Sequence, residues 1–305
     1  MDALAVVLNA PHDLSLRSLA LDPAGVDDVV VDVEWSGVST GTERLLWSGA
    51  MPPFPGMGYP LVPGYESVGR IQGGVRDGER VFVPGARCFG PVHGLFGAAA
   101  SRVVVSSSRA LSIGPAMGED AVLLALAATA QHAMTGFAVP ELIVGHGVLG
   151  RLLARLAVLA GGAPVVWERN ADRRDGASGY VVLNPANDTR RDYRAVYDAS
   201  GDAGLLDTLI ARLAPGGEIV LAGFYADRPS FAFPPAFMRE ARFRIAAQWQ
   251  LADLLAVRDL AVAGKLDLAG LITHRAPATA APDAYRTAFD DASCLKMVLD
   301  WRACA

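Results

Sequence analysis

Hydrophobic and polar positions change rhythm about two fifths of the way along this 305-residue chain. Before residue 119, short β-branched runs at 4–8, 28–35, 67–72 and 80–84 lie between Gly, Pro, Asp and Asn residues. Spacing of that kind predicts an open β-barrel rather than a helical bundle. From 119 to 137 an Ala- and Leu-rich stretch predicts a helix. Strands at 142–144, 165–167, 180–183, 195–198 and 218–222 then alternate with helices at 152–160 and 205–213. A parallel sheet with crossover helices requires such alternation. A strand at 270–273 and a helix at 281–289 predict that the chain finally returns to its first domain. The expected fold class is α/β, a β-barrel domain (1–118, rejoined by 261–305) interrupted by a doubly wound parallel sheet (119–260).

Composition narrows the function classes. A chain of this length exceeds the usual single core, so two domains are expected. With 52% hydrophobic and 19% charged residues it reads as a well-buried globular protein, and a net charge of -5 argues against nucleic acid as a partner. No apolar run reaches the roughly 18 residues of a membrane span, so no transmembrane segment is expected. The N-terminal residues lack the basic-then-apolar profile of a signal peptide, so a cytoplasmic location is expected. Cys88, Cys294 and Cys304 are too scattered for a disulfide framework or a Cys-x-x-Cys zinc site.

The sharpest motif is Leu142-Ile143-Val144-Gly145-His146-Gly147-Val148-Leu149-Gly150, an apolar strand running into Gly-x-Gly-x-x-Gly and an apolar helix. Gly145 permits the tight turn, Gly147 lets a pyrophosphate approach the backbone, and Gly150 allows close packing of the helix. The helix N-terminus, with Val148 and Leu149, offers N–H groups to an anion. His146 is placed to meet either a cofactor phosphate or a backbone carbonyl. A second apolar run, Pro164 to Trp167, ends in Glu168, roughly 20 residues past the glycines, where a carboxylate accepts from a ribose 2′-hydroxyl and repels a 2′-phosphate. NAD is therefore expected over NADP, although Arg169 follows immediately and is able to hold a phosphate. Ser200 and Gly223, at later strand ends, complete the expected cofactor set.

Further segments carry a family resemblance: Gly37-Val38-Ser39-Thr40-Gly41-Thr42-Glu43, Val62-Pro63-Gly64-Tyr65-Glu66, Gly78-Glu79-Arg80-Val81, Asp198-Ala199-Ser200-Gly201, Leu213-Ala214-Pro215-Gly216-Gly217 and Gly264-Lys265-Leu266. In this order the chain resembles a medium-chain dehydrogenase/reductase over nearly its whole length. The resemblance implies a GroES-like substrate domain, a Rossmann domain and an active site in the cleft between them. A narrower likeness, carried by the 36–43 segment, the 47–63 loop and the Val165-Val166-Trp167-Glu168 strand end, is to family members of the chlorophyll pathway. It implies NAD-dependent oxidation of a hydroxyethyl side chain on a tetrapyrrole to acetyl, in bacteriochlorophyll synthesis. Such pigments concentrate at the photosynthetic membrane surface, and a homodimer is compatible with the family.

Departures from the family pattern carry the mechanism. Where zinc-dependent members have a metal-binding Cys and His, this chain has Thr40 and Tyr65, and the third ligand would fall among the apolar residues 124–128. Zinc prefers Cys, His or carboxylate, so no metal is expected. The remaining metal alternative is an unorthodox site of Glu66 with His93 or Glu43. Without a metal, Tyr65 and Thr40 are the candidates to handle the proton, with Glu43 and Glu66 either orienting Tyr65 or anchoring the loops, unless Tyr65 only fills the vacated volume. His132 is a further candidate base or a packing element. Trp47, Phe54 and Tyr59 in the Pro- and Gly-rich loop are expected to wall an apolar substrate cleft or to pack beneath the domain. Two other classes stay open: an NADPH-dependent quinone-reductase-like enzyme, which would favour a basic or small residue at position 168, and a non-catalytic NAD-sensing protein.

Overall fold

The structure, a computed structural model, describes residues 1–53, 55–94 and 96–304. The chain opens with an antiparallel hairpin, β1 (Asp2–Ala10) and β2 (Asp13–Ala20), followed by β3 (Asp28–Val38) and the short helix α1 (Thr42–Ser48). Next come β4 (Ser67–Gln72), β5 (Arg80–Val83), β6 (Arg102–Ser106) and β7 (Leu111–Ser112). Helix α2 (Leu124–Met134) leads into β8 (Leu142–Val144), α3 (Val148–Leu159), β9 (Val165–Trp167), β10 (Val181–Leu183) and β11 (Tyr193–Asp198). The chain continues through α4 (Leu206–Ile210), β12 (Leu213–Leu221), α5 (Phe233–Met238), β13 (Arg242–Ile245) and α6 (Leu251–Val262). It closes with β14 (His274–Pro277), α7 (Ala281–Asp290) and β15 (Met297–Asp300).

Two compact units result, Met1–Ala125 with Leu268–Ala305, and Leu126–Asp267. In the first, a seven-stranded sheet runs β14-β15-β3-β4-β5-β7, with β6 also paired to β3. Its core is built from alternating positions such as Val31 and Val33 of β3 and Val81 and Val83 of β5, all buried. The returning segment is part of that core, because Trp301 and Tyr285 are almost fully buried and the Trp301 indole N–H donates to Ser36 Oγ at 2.8 Å. Burying side chains of this size contributes about 1.5–3 kcal/mol each.

In the second unit six parallel strands run in the order β10-β9-β8-β11-β12-β13. Numbered from β8, this is the doubly wound order 3-2-1-4-5-6, whose switch point lies between the first and fourth strands and whose ligands bind at the strand carboxyl ends. The glycine turn follows β8 and the Asp198–Gly201 segment follows β11, so both stand at that switch point.

Three elements differ from expectation. The strand expected at 270–273 begins instead at His274: Gly270 takes a φ of 74°, and the Thr273 and His274 N–H groups both turn to the Lys296 carbonyl. Residues 119–123 wind as a 3₁₀ turn before α2. The helix expected through Leu213 stops at Ile210, since Leu213 is already paired with Tyr193 in the sheet.

Candidate active and cofactor sites

The three motif glycines meet different surroundings. Gly145 has a φ of 95° and packs on the Ala199–Ser200 backbone, where a Cβ would lie 3.4 Å away. A Cβ on Gly147 would meet nothing within 4 Å. One on Gly150 would stand 1.9 Å from the Gly145 carbonyl oxygen, so the first turn of α3 closes over the loop only without a side chain. Helix α3 has no side-chain cap at Gly147, which leaves the N–H groups of its first turn, from Val148 and Leu149 onward, for an anion. This open cradle fits a dinucleotide pyrophosphate.

Glu168 stands at the end of β9 with both carboxylate oxygens engaged by backbone. Oε2 accepts from the His146 N–H at 3.1 Å and Oε1 from the Asn170 N–H at 2.8 Å. Arg169 points into solvent and reaches Asp202 at 3.4 Å. The His146 side chain is turned inward, fully buried, with Nδ1 2.6 Å from the Arg173 carbonyl and Nε2 2.8 Å from the Tyr180 hydroxyl. Burial holds its pKa down to about 4, so it is neutral. Across the switch point, the buried Asp198 carboxylate accepts from the Ser200 N–H and hydroxyl and from the Tyr225 hydroxyl at 2.7 Å. Gly223 donates its N–H to the Asp198 carbonyl, and a Cβ there would lie 2.9 Å from the Gly201 nitrogen. Asp198 thus ties the loops after β11 and β12 together, and burial raises its pKa.

In the other unit a buried polar cluster surrounds Tyr65. The Tyr65 hydroxyl donates to Ser39 Oγ at 2.7 Å. Burial, and then the Glu66 charge, push its pKa well above the usual phenol range, so it stays protonated. Thr40 is half-buried in the turn between β3 and α1. Glu66 is fully buried and forms a 2.7 Å ion pair with Lys296, which also donates to the Val38 carbonyl at 3.3 Å. Burial raises the Glu66 pKa and Lys296 opposes the rise. The second oxygen, Oε1, has no hydrogen-bond partner among the described residues. Gly37 makes room for this carboxylate, since a Cβ there would stand 2.2 Å from Glu66 Oε2. Glu43, also fully buried, accepts from the Ser39 N–H at 3.1 Å and the Tyr285 hydroxyl at 2.6 Å, and burial raises its pKa to about 7.

The remaining expected residues have other partners. His132, on α2, has Nδ1 2.8 Å from Asp253, which also accepts from the Gln250 N–H in the capping box of α6 and from the Thr135 hydroxyl. It belongs to a different unit from Tyr65. Trp47 packs edge-on against His12, with ring centroids 4.2 Å apart, and against Phe289 at 5.6 Å. Tyr59 donates its hydroxyl to the Leu46 carbonyl and packs with Leu8, Leu46, Met51 and Leu61. Phe54 lies outside the described residues. Sequence reasoning missed Lys296, Tyr285 and Arg151; of these only Lys296 had a signal, a lysine inside the apolar run 294–299.

The donor set around Tyr65 does not fit zinc. Thr40 and Tyr65 offer hydroxyls, Glu43 has both oxygens occupied, and Glu66 is paired with Lys296. His93 is exposed whereas Glu66 is fully buried, and Leu124, Ala125, Ala127 and Ala128 are buried apolar residues. Among the described residues no group of three His, Cys, Asp or Glu side chains is placed to hold a metal ion.

No model of a known protein family matches the chain. The chain is 57% identical to the 2-desacetyl-2-hydroxyethyl bacteriochlorophyllide A dehydrogenase of Cereibacter sphaeroides over 318 residues, covering 100% of both chains. It is likewise 57% identical to the enzyme of that name from Rhodobacter capsulatus over 311 residues, covering 99% of both. Among solved structures, an alcohol dehydrogenase of Escherichia coli CFT073 complexed with NADH superposes with a TM-score of 0.82 at 20% identity, over 98% of this chain and 99% of that one. At that identity the likeness speaks for the fold.

Proposed function

The chain belongs to the medium-chain dehydrogenase family of the 2-desacetyl-2-hydroxyethyl bacteriochlorophyllide A dehydrogenases, and on that premise we propose that it oxidises the hydroxyethyl group of a bacteriochlorophyllide to acetyl with NAD and without zinc. The carrying observation is 57% identity sustained over the full length of both chains. The chemistry breaks the C–H and O–H bonds of a secondary alcohol and leaves a C=O. NAD, when bound, would accept the hydride, and the hydroxyl proton is released to solvent.

This chain's residues do the rest. The first turn of α3 and the open face of Gly147 take the pyrophosphate. Glu168 accepts from the ribose 2′-hydroxyl and disfavours NADP. Tyr65 remains a neutral phenol, so it serves as a hydrogen-bonding relay at the reacting oxygen with Ser39 as its neighbour, not as a phenolate base. Thr40 contributes more weakly to the same relay. Glu66, next to Tyr65 in sequence and paired in the interior with Lys296, sets the electrostatics around that hydroxyl. No helix among the described residues is long and apolar enough to cross a membrane.

The test compares two substitutions at one position. Tyr65→Phe should lower kcat by about 100-fold while leaving the NAD Kd nearly unchanged, as loss of a positioned proton-transfer group does. Near-normal turnover by Tyr65→Phe, with a large loss confined to Tyr65→Ala, would reduce Tyr65 to a space-filling side chain.

A further inference from the structure

The nine residues from Glu168 to Gly176 include Arg169, Arg173 and Arg174. Three guanidinium groups are a poor setting for rejecting a 2′-phosphate. Selectivity for NAD in such a loop depends on where the Glu168 carboxylate is held; the His146 and Asn170 backbone N–H groups hold it directly, and two buried side chains brace the loop behind it. His146 Nδ1 faces the Arg173 carbonyl, which only accepts, so Nδ1 carries the hydrogen and Nε2 accepts from the Tyr180 hydroxyl. Arg151, 5% exposed, donates to the His146 carbonyl at 3.0 Å, to the Arg173 carbonyl at 2.9 Å and to the Asp175 carbonyl at 2.8 Å. The Arg173 carbonyl is therefore gripped twice, from the glycine turn and from the first turn of α3. Gly176 lies against the same guanidinium, where a Cβ would come within 2.6 Å of Nη1. From the other side, the Arg174 side chain donates to the Glu168 and Arg169 carbonyls at 3.0 and 2.7 Å.

Resting on the NAD reading above, we infer that His146 and Arg151 are positioning residues for cofactor selectivity: they clamp the backbone of 168–176 onto the glycine turn and so fix Glu168 where the ribose 2′-hydroxyl arrives. Neither side chain needs to touch the dinucleotide. Loosening the clamp lets Glu168 rotate away and leaves Arg169, three-quarters exposed on the same loop, to receive a 2′-phosphate. The critical bond is the one from Nδ1 to the Arg173 carbonyl. Asn places an amide donor near the Nδ1 position, whereas Gln extends toward the Nε2 position and loses that bond.

Calorimetric titration of the full-length protein with NADH and with NADPH gives the ratio of the two Kd values. His146→Gln should shift that ratio toward NADPH by about tenfold, the worth of one well-placed hydrogen bond. His146→Asn should stay within about twofold of the wild type. An unchanged ratio in His146→Gln, or an equal shift in His146→Asn, overturns the clamp. Should either His146 variant fail to fold, Arg151→Lys keeps the buried cation but cannot span three carbonyls, and a wild-type ratio there also overturns it. Glu168→Ala separates the two ideas. A ratio that moves with Glu168→Ala but not with the clamp variants defeats the clamp alone, whereas wild-type preference for NADPH defeats the NAD reading beneath it.

Discussion

Lys296→Met removes the cation from a pair whose side chains are 1% and 0% exposed. Glu66 Oε2 then loses its 2.7 Å donor while Oε1 already has none among the described residues, so the carboxyl is stranded. Methionine nearly matches the lost volume, which keeps the packing loss small. The dominant cost is the unpaired buried charge, about 3–5 kcal/mol for breaking such a pair from one side. Protonation limits that cost: burial already raises the Glu66 pKa, Lys296 is what opposes the rise, and without it the carboxyl takes a proton more readily. The unfolded chain releases that proton at lower pH than the folded variant, so the deficit should widen as pH increases. Equilibrium denaturation at mildly acidic and mildly alkaline pH measures both effects, and Glu66→Leu/Lys296→Met should recover most of the loss because an apolar pair replaces the ionic one. A single variant within about 1 kcal/mol of wild type, or a double variant no more stable than the single, would refute the reasoning.

Further expectations concern pH and the glycine turn. His146 has a folded pKa near 4 against an ordinary 6.5, so the unfolded chain protonates first and stability is lost as pH falls through that window. Glu43, raised from 4.5 to about 7, does the reverse: the folded state keeps its proton longer, and stability is lost as pH rises through that range. Thermal midpoints across this range should therefore show His146→Asn less acid-labile than wild type and Glu43→Gln more so, and same-sign changes would contradict both assignments. Gly147→Ala should melt like wild type yet bind NADH at least about tenfold more weakly, since its Cβ enters space reserved for phosphate. Gly150→Ala should lose about 1–3 kcal/mol of stability from its contact with the Gly145 carbonyl. Unimpaired NADH binding by Gly147→Ala would remove the phosphate cradle.

The sheet that carries the dinucleotide turn was legible in the sequence because its strands are short apolar runs punctuated by glycine, and 142–144 and 165–167 match β8 and β9 at both ends. Strands β2 and β13 were not, since Leu14 and Leu16 alternate with polar residues but Leu19 falls out of phase with them, and β13 is an edge strand with two arginines. The glycine turn and Glu168 were readable as local chemistry. The partners of His146 were not, because Arg173 and Tyr180 lie 27 and 34 residues away and one of them acts through its carbonyl. Lys296 lies 230 residues from Glu66, so only the lysine's odd place in an apolar run hinted at a buried charge. The loop around Trp47 and Tyr59 reads as cleft-like in composition, and each half-buried side chain also packs within its own unit, Trp47 on Phe289 and Tyr59 among Leu8, Leu46, Met51 and Leu61.

The most direct test of zinc-free, NAD-dependent alcohol oxidation is a single stoichiometry. Chelator-dialysed protein, assayed for zinc by elemental analysis, is incubated with a hydroxyethyl bacteriochlorophyllide and NAD, and product mass and NADH are followed together. Loss of two hydrogens from the pigment, with one NADH formed per acetyl group and zinc far below one per chain, is the predicted result. Activity that disappears on dialysis and returns only with stoichiometric zinc, or oxidation that proceeds with NADP but not NAD, would contradict it.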